Sequence, residues 1–141
     1  MTRTFVAGGA EPPEPLAEMW RLCRRSLDAA YAAIRAGADG TAVWAASCEP
    51  FEAGGWPTQR TKAPGEPIVD GYAHGLGHGI GLDIHERPNL GRLGDPLVAG
   101  DVIAIEPALY RQGFGGCRLE DLVLVTDDGY ERITDFPYEL A

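Results

Sequence analysis

Apolar residues recur at helical spacing through the first third of the chain. Leu16, Met19, Trp20, Cys23, Leu27, Ala30, Tyr31 and Ile34 line one face of a 3.6-residue repeat. With Pro15 at its start and Gly37 as its stop, this pattern predicts an amphipathic helix over residues 15–36. Asp39 or Thr41 can cap a second helix with a buried stripe of Val43, Trp44, Cys48 and Phe51. Pro50 lies inside that stripe and is expected to kink the helix or end it early. Residues 2–6 alternate β-branched and aromatic side chains with others and read as a short strand.

After Gly54 and Gly55 no helical period is legible. Residues 102–110, 118–126 and 131–134 are rich in Val, Ile and Leu and read as strands, separated by turns such as Asp127-Asp128-Gly129. Helices followed by strands imply an α+β fold in which two helices pack on an antiparallel sheet, all within one domain of residues 1–141.

Charge narrows the function. The 141 residues carry a formal net charge of −9. That balance disfavours nucleic acid, whose phosphates require basic patches, and acidic membrane surfaces. No segment has the apolar length of a membrane span or a signal peptide, so a cytoplasmic protein is expected. Cys23, Cys48 and Cys117 are odd in number and widely spaced. They are expected to be reduced packing residues.

Chemistry concentrates in one stretch. All three histidines fall in the run His74-Gly-Leu-Gly-His78-Gly-Ile-Gly-Leu-Asp-Ile-His85-Glu86. Imidazoles ligate metals and move protons near neutral pH, and the intervening glycines permit close backbone approach. A dinucleotide loop does not fit, because G-x-G-x-x-G is not met; H-E-x-x-H is also absent, since Arg87, Pro88 and Asn89 follow Glu86. Downstream, Glu106 follows the apolar run Val102-Ile-Ala-Ile105, and Glu120 lies within Arg118-Leu-Glu-Asp-Leu-Val-Leu-Val. Strand alternation puts Arg118, Glu120 and Leu122 on one face. Such carboxylates either pair with Arg111 or Arg118 or bind a metal. One imidazole with two carboxylates suits Mn, Fe, Co or Zn.

The histidine run, then Ile105-Glu-Pro-Ala-Leu-Tyr110, then Arg118-Leu-Glu-Asp-Leu-Val-Leu-Val-Thr126, resembles in order the motifs of the pita-bread (M24) metallopeptidases. The opening Thr2-Arg-Thr-Phe5 and the closing Thr134-Asp-Phe-Pro-Tyr138 are similar to segments of prolidase-like members. The resemblance implies the carboxy-terminal part of the pita-bread fold and a peptidase of the Xaa-Pro dipeptidase or aminopeptidase type. It makes His78, Glu106 and Glu120 metal ligands, with Glu120 bridging two ions. It assigns His85 to the substrate carbonyl and tetrahedral intermediate, His74 to a place near the substrate, and Arg118 to orienting Glu120. A short peptide is the implied substrate.

The family's two aspartate ligands have no counterpart in a matching context. Asp28, Asp39 and Asp70 are the nearest alternatives. The site as given is therefore expected to be incomplete and inactive alone, holding at most one ion, with a missing N-terminal segment or a homodimer as the means of completion. A non-catalytic pita-bread binding module and a creatinase-like C–N hydrolase remain alternatives.

Overall fold

The computed structural model describes residues 1–141. Helix α1 spans Glu14–Ala33 and buries Met19, Leu22, Cys23, Ser26, Leu27, Ala30 and Tyr31. It ends three residues before the expected last residue, Ala36. Ile34 is already extended, Ala36 N–H donates to Thr126 O at 3.0 Å, and Gly37 N–H donates to Leu97 O at 2.8 Å. Hydrogen bonds to distant loops thus replace another helical turn. Helix α2 spans Gly40–Ala53, with Asp39 as the cap that accepts from Thr41 N–H at 2.9 Å. Pro50 does not end it early. Near the end of the helix a proline forfeits only one backbone bond, and burial of Val43, Trp44, Cys48 and Phe51 holds the last turn. Asp39→Ala is expected to cost about 1 kcal/mol, the usual worth of such a cap, read as a lower urea midpoint at unchanged slope.

Seven short strands follow: β1 (Gly77–Gly79), β2 (Glu86–Leu90), β3 (Val102–Ile105), β4 (Ala108–Arg111), β5 (Gly115–Arg118), β6 (Asp121–Val125) and β7 (Tyr130–Arg132). They make a five-stranded antiparallel sheet in the order β2-β1-β3-β6-β7 and a separate pair, β4-β5. Two helices with antiparallel sheets match the expected α+β class. Side chains of α1 and α2 share one core with Leu76, Leu90, Ile103, Ile105, Leu109, Leu119 and Val123.

Three expected strands differ in detail. Residues 2–6 contribute only a bridge from Thr2 to Glu120, and the chain then enters a single 3₁₀ turn at Ala7–Gly9. The strand read over 102–110 divides at Glu106-Pro107, and the one over 118–126 divides at Leu119-Glu120. Pro107 has no N–H to give to a ladder, and the flanking residues turn to other partners. Glu106 N–H donates to Leu76 O at 2.8 Å, while Thr2 and Glu120 exchange backbone bonds of 3.2 and 2.9 Å.

The register shows what this division is. Ile105 pairs with Asp121 on one side of the break and Ala108 with Arg118 on the other, with no residue gained or lost between. β3-β4 and β5-β6 are therefore one long hairpin that forks where the two glutamates lie opposite each other in register.

Candidate metal and peptide site

The alternate glycines of the histidine run serve close packing. A Cβ on Gly77 would lie 1.8 Å from Ala104 O, and one on Gly79 would lie 2.1 Å from Arg87 O. β1 is thereby pressed between β2 and β3, which aims His78 toward the start of the fork. Its Nδ1 lies 3.0 Å from Gly79 O. A carbonyl only accepts, so Nδ1 carries a proton, and in the neutral ring Nε2 is the nitrogen free to ligate. That Nε2 faces Glu106 Oε1 at 3.7 Å. Two ligands on one ion, each at 2.0–2.2 Å and spread at a tetrahedral or wider angle, lie about 3.3–3.8 Å apart. The spacing of this imidazole and carboxylate fits one divalent ion.

The pair lies on a cavity of about 770 Å³ whose walls include His74, His78, His85, Glu86, Glu106 and Arg118. His85 is exposed, with its ring centroid 4.2 Å from that of His78. His74 is set deeper, edge-on to Tyr72 at 5.1 Å. Its Nδ1 bonds the Gly75 carbonyl at 2.7 Å, the same local device that orients His78. Its Nε2 therefore accepts, and it meets Tyr110 Oη at 3.3 Å and Arg118 Nη2 at 3.4 Å. Burial first, and then the Arg118 charge, push the His74 pKa below the ordinary value, against the pull of the Gly75 carbonyl and Glu106.

This shift carries a sign. An imidazole whose folded pKa is depressed contributes stability that is present above its unfolded value, near 6.5. That stability is lost as pH falls through the window below it. Wild-type unfolding free energy is expected to drop between pH 7 and pH 5, and His74→Gln to show a shallower drop. Parallel urea titrations of the two proteins check this.

Arg118 does not contact Glu120, as the sequence suggested; it donates Nη1 to Glu106 Oε2 and Nη2 to Tyr110 Oη. Burial opposes charge on the guanidinium, but its bond to Tyr110 and the nearby Glu106 and Glu120 outweigh this and hold its pKa above the ordinary value. Glu120 is engaged by the Thr2 hydroxyl, with the Met1 amine 3.6 Å away. His78 and Glu106 are thus brought together, but Glu120 does not join them, and no three His, Cys, Asp or Glu side chains of the chain are arranged to hold an ion.

The other aspartates weighed as ligands are engaged elsewhere. Asp28 pairs with Arg24, Asp39 caps α2, and Asp70 accepts from Gln112 N–H. Cys23, Cys48 and Cys117 are free and buried, as expected. No helix is long and apolar enough to cross a membrane. Tyr110 and Thr2, which hold Arg118 and Glu120, escaped the sequence reading. For Tyr110 the signal was its place two residues beyond Ala108, diagonal to Arg118 across the β4-β5 ladder, and that diagonal requires the register.

The sequence profile of metallopeptidase family M24 matches residues 1–127. The chain belongs to that family. This M24 member is 35% identical over 140 residues to "Probable dipeptidase PepE" of Mycobacterium tuberculosis, covering 99% of this chain and 34% of the relative. It is 44% identical over 72 residues to an Xaa-Pro dipeptidase of Pyrococcus furiosus, covering 50% of this chain and 21% of that protein. Among solved structures, an Xaa-Pro dipeptidase from Bacillus anthracis superposes with a TM-score of 0.82 at 32% identity, over 98% of this chain and 35% of that one. The prolidase from Pyrococcus horikoshii OT3 gives 0.83 at 30% identity, over 99% and 36%. The chain thus matches part of the pita-bread fold of these peptidases and spans about a third of their length.

Proposed function

We propose that residues 1–141 form the histidine- and glutamate-bearing side of a metal-dependent peptidase centre that hydrolyses the amino-terminal bond of short Xaa-Pro peptides. The observation that carries this reading is the His78 Nε2 lone pair facing Glu106 Oε1 at 3.7 Å on the wall of a cavity shared with His85 and His74. His78 and Glu106 would hold a divalent ion, and Glu120, opposite Glu106 in the hairpin register, would be a further ligand.

The nitrogen and oxygen donors suit Mn, Co, Fe or Zn. Bound divalent ions supply a water of lowered pKa and a polarised carbonyl. The chain's own groups do the rest. Glu106, with Oε2 held by Arg118 and Oε1 turned to the cavity, accepts a proton from the attacking water and passes it to the leaving amine. His85, at the exposed rim, donates an N–H to the oxygen that develops charge. His74 borders the substrate with its acceptor nitrogen engaged by Tyr110.

A centre of this kind needs more carboxylates than these residues gather, and we assign them to an aspartate-bearing segment packed over the cavity. The test joins the chain to the amino-terminal part of the Bacillus anthracis relative, loads it with Mn²⁺ or Co²⁺, and measures proline release from Xaa-Pro dipeptides. Release of proline is the expected result. A protein that takes up two ions yet cleaves no Xaa-Pro peptide would overturn the reading.

A further inference from the structure

Two of the site's groups, Arg118 and His74, meet on the Tyr110 hydroxyl. Arg118 Nη2 donates to its hydroxyl at 2.6 Å. The same hydroxyl is 3.3 Å from His74 Nε2, which can only accept because the Nδ1 proton is committed to Gly75 O. The phenol therefore accepts from the guanidinium and donates to the imidazole, and both of its hydrogen-bonding capacities are used. The other arm of the guanidinium, Nη1, donates to Glu106 Oε2. A planar fork with one prong fixed leaves little freedom for the other. With Oε2 held in this way, Oε1 is the oxygen left to face His78.

We propose that Tyr110 is a positioning residue that fixes the Arg118 fork and, through it, turns the Glu106 carboxylate toward His78. This rests on the reading of Glu106 as a ligand. Tyr110 bonds Arg118 and His74 but not His78 or Glu106, so its influence on an ion between those two passes through Arg118. Partners one step removed from a metal typically contribute 10- to 100-fold to its affinity. Tyr110 stands two steps away, so an effect of about tenfold, at the low end, is expected.

The experiment uses ¹⁵N-labelled chain 1–141 and has two readouts. The first needs no metal. A fork held at both ends rotates slowly about its Cζ–Nε bond, so Arg118 should give separate Nη signals at low temperature. Tyr110→Phe should merge them, whereas Tyr110→Gln, which keeps an oxygen acceptor, should restore part of the separation. The second readout is broadening of the His78 ring signals by Mn²⁺. Tyr110→Phe should raise the Mn²⁺ concentration for half-broadening about tenfold, and in an Arg118→Lys background it should have no further effect.

Separate Arg118 signals that survive in Tyr110→Phe would overturn the proposal. So would a half-broadening concentration that stays within about twofold of wild type, or losses from the two substitutions that add. Failure of Mn²⁺ to broaden His78 in the wild type would instead overturn the reading of Glu106 and His78 as ligands, while the Arg118 signals would still decide the fork. Should Tyr110→Phe lose the fold, Tyr110→Leu takes its place: merged Arg118 signals support the proposal and separate ones oppose it.

Discussion

Asp121→Ala is expected to lower the unfolding free energy by about 3–5 kcal/mol, the usual result of removing one partner from a buried ion pair. The Asp121 side chain is fully buried, and Arg3, 5% exposed, holds its Oδ1 at 2.7 Å. Its Oδ2 accepts from the hydroxyls of Tyr31 and Tyr138. Burial, and then the bond to Asp121, raise the Tyr31 pKa far above the ordinary phenol value, so the hydroxyl stays a donor. Beneath this lies the Tyr138 ring, with the guanidiniums of Arg3 and Arg24 at 4.1 and 4.0 Å from its centroid.

Alanine would leave a guanidinium and two phenols without their shared acceptor. Asp121→Asn, which keeps one oxygen, should lose less. Urea unfolding of the three proteins checks the order, and an alanine variant within about 1 kcal/mol of wild type would show that the cluster contributes little. The site depends on the same cluster. Arg3 also donates to Thr2 O and Glu120 O, so it braces the strand contact beside which the Thr2 hydroxyl holds the Glu120 carboxylate.

The second large effect separates two neighbouring imidazoles. In the chain joined to the amino-terminal part of an M24 relative, His85→Ala is expected to slow turnover by about a hundredfold, the usual worth of one donor to a developing oxyanion. Metal content should stay as in the unsubstituted protein, because the exposed His85 ring makes no hydrogen bond that fixes it as a ligand. His78→Ala should lose the metal and with it all activity. Turnover and metal analysis on the same preparations decide the matter. Loss of metal in His85→Ala, or its retention in His78→Ala, would exchange the two assignments.

Both helices, the antiparallel character of the chain after residue 56 and the gathering of His78 with Glu106 were legible in the sequence. Helical period and caps are local properties, so a cap at Asp39 or Thr41 could be read directly, and Asp39 supplies it. The histidine-to-glutamate pairing was legible through the resemblance to the M24 motifs. What was hidden depends on partners far along the chain. α1 stops at Ala33 because Ala36 and Gly37 bond Thr126 and Leu97.

The apolar run over 102–110 looks continuous, but Pro107 and the pull of Leu76 on Glu106 split it. That split creates the fork on which both glutamates stand. Asp121 read as an ordinary strand residue, since nothing local reveals that Arg3, Tyr31 and Tyr138 converge on it. The resemblance assigned Arg118 to Glu120, two residues away. Alternation and the ladder put it instead on Glu106, twelve residues away.

Isothermal titration of residues 1–141 with Mn²⁺, repeated on His78→Ala, decides whether His78 and Glu106 form an ion site. The wild-type chain is expected to take up a single ion weakly and His78→Ala none, since the gathered donors are one imidazole nitrogen and one carboxylate oxygen 3.7 Å apart. Two tightly bound ions, no uptake by the wild type, or uptake unchanged by His78→Ala would contradict this reading.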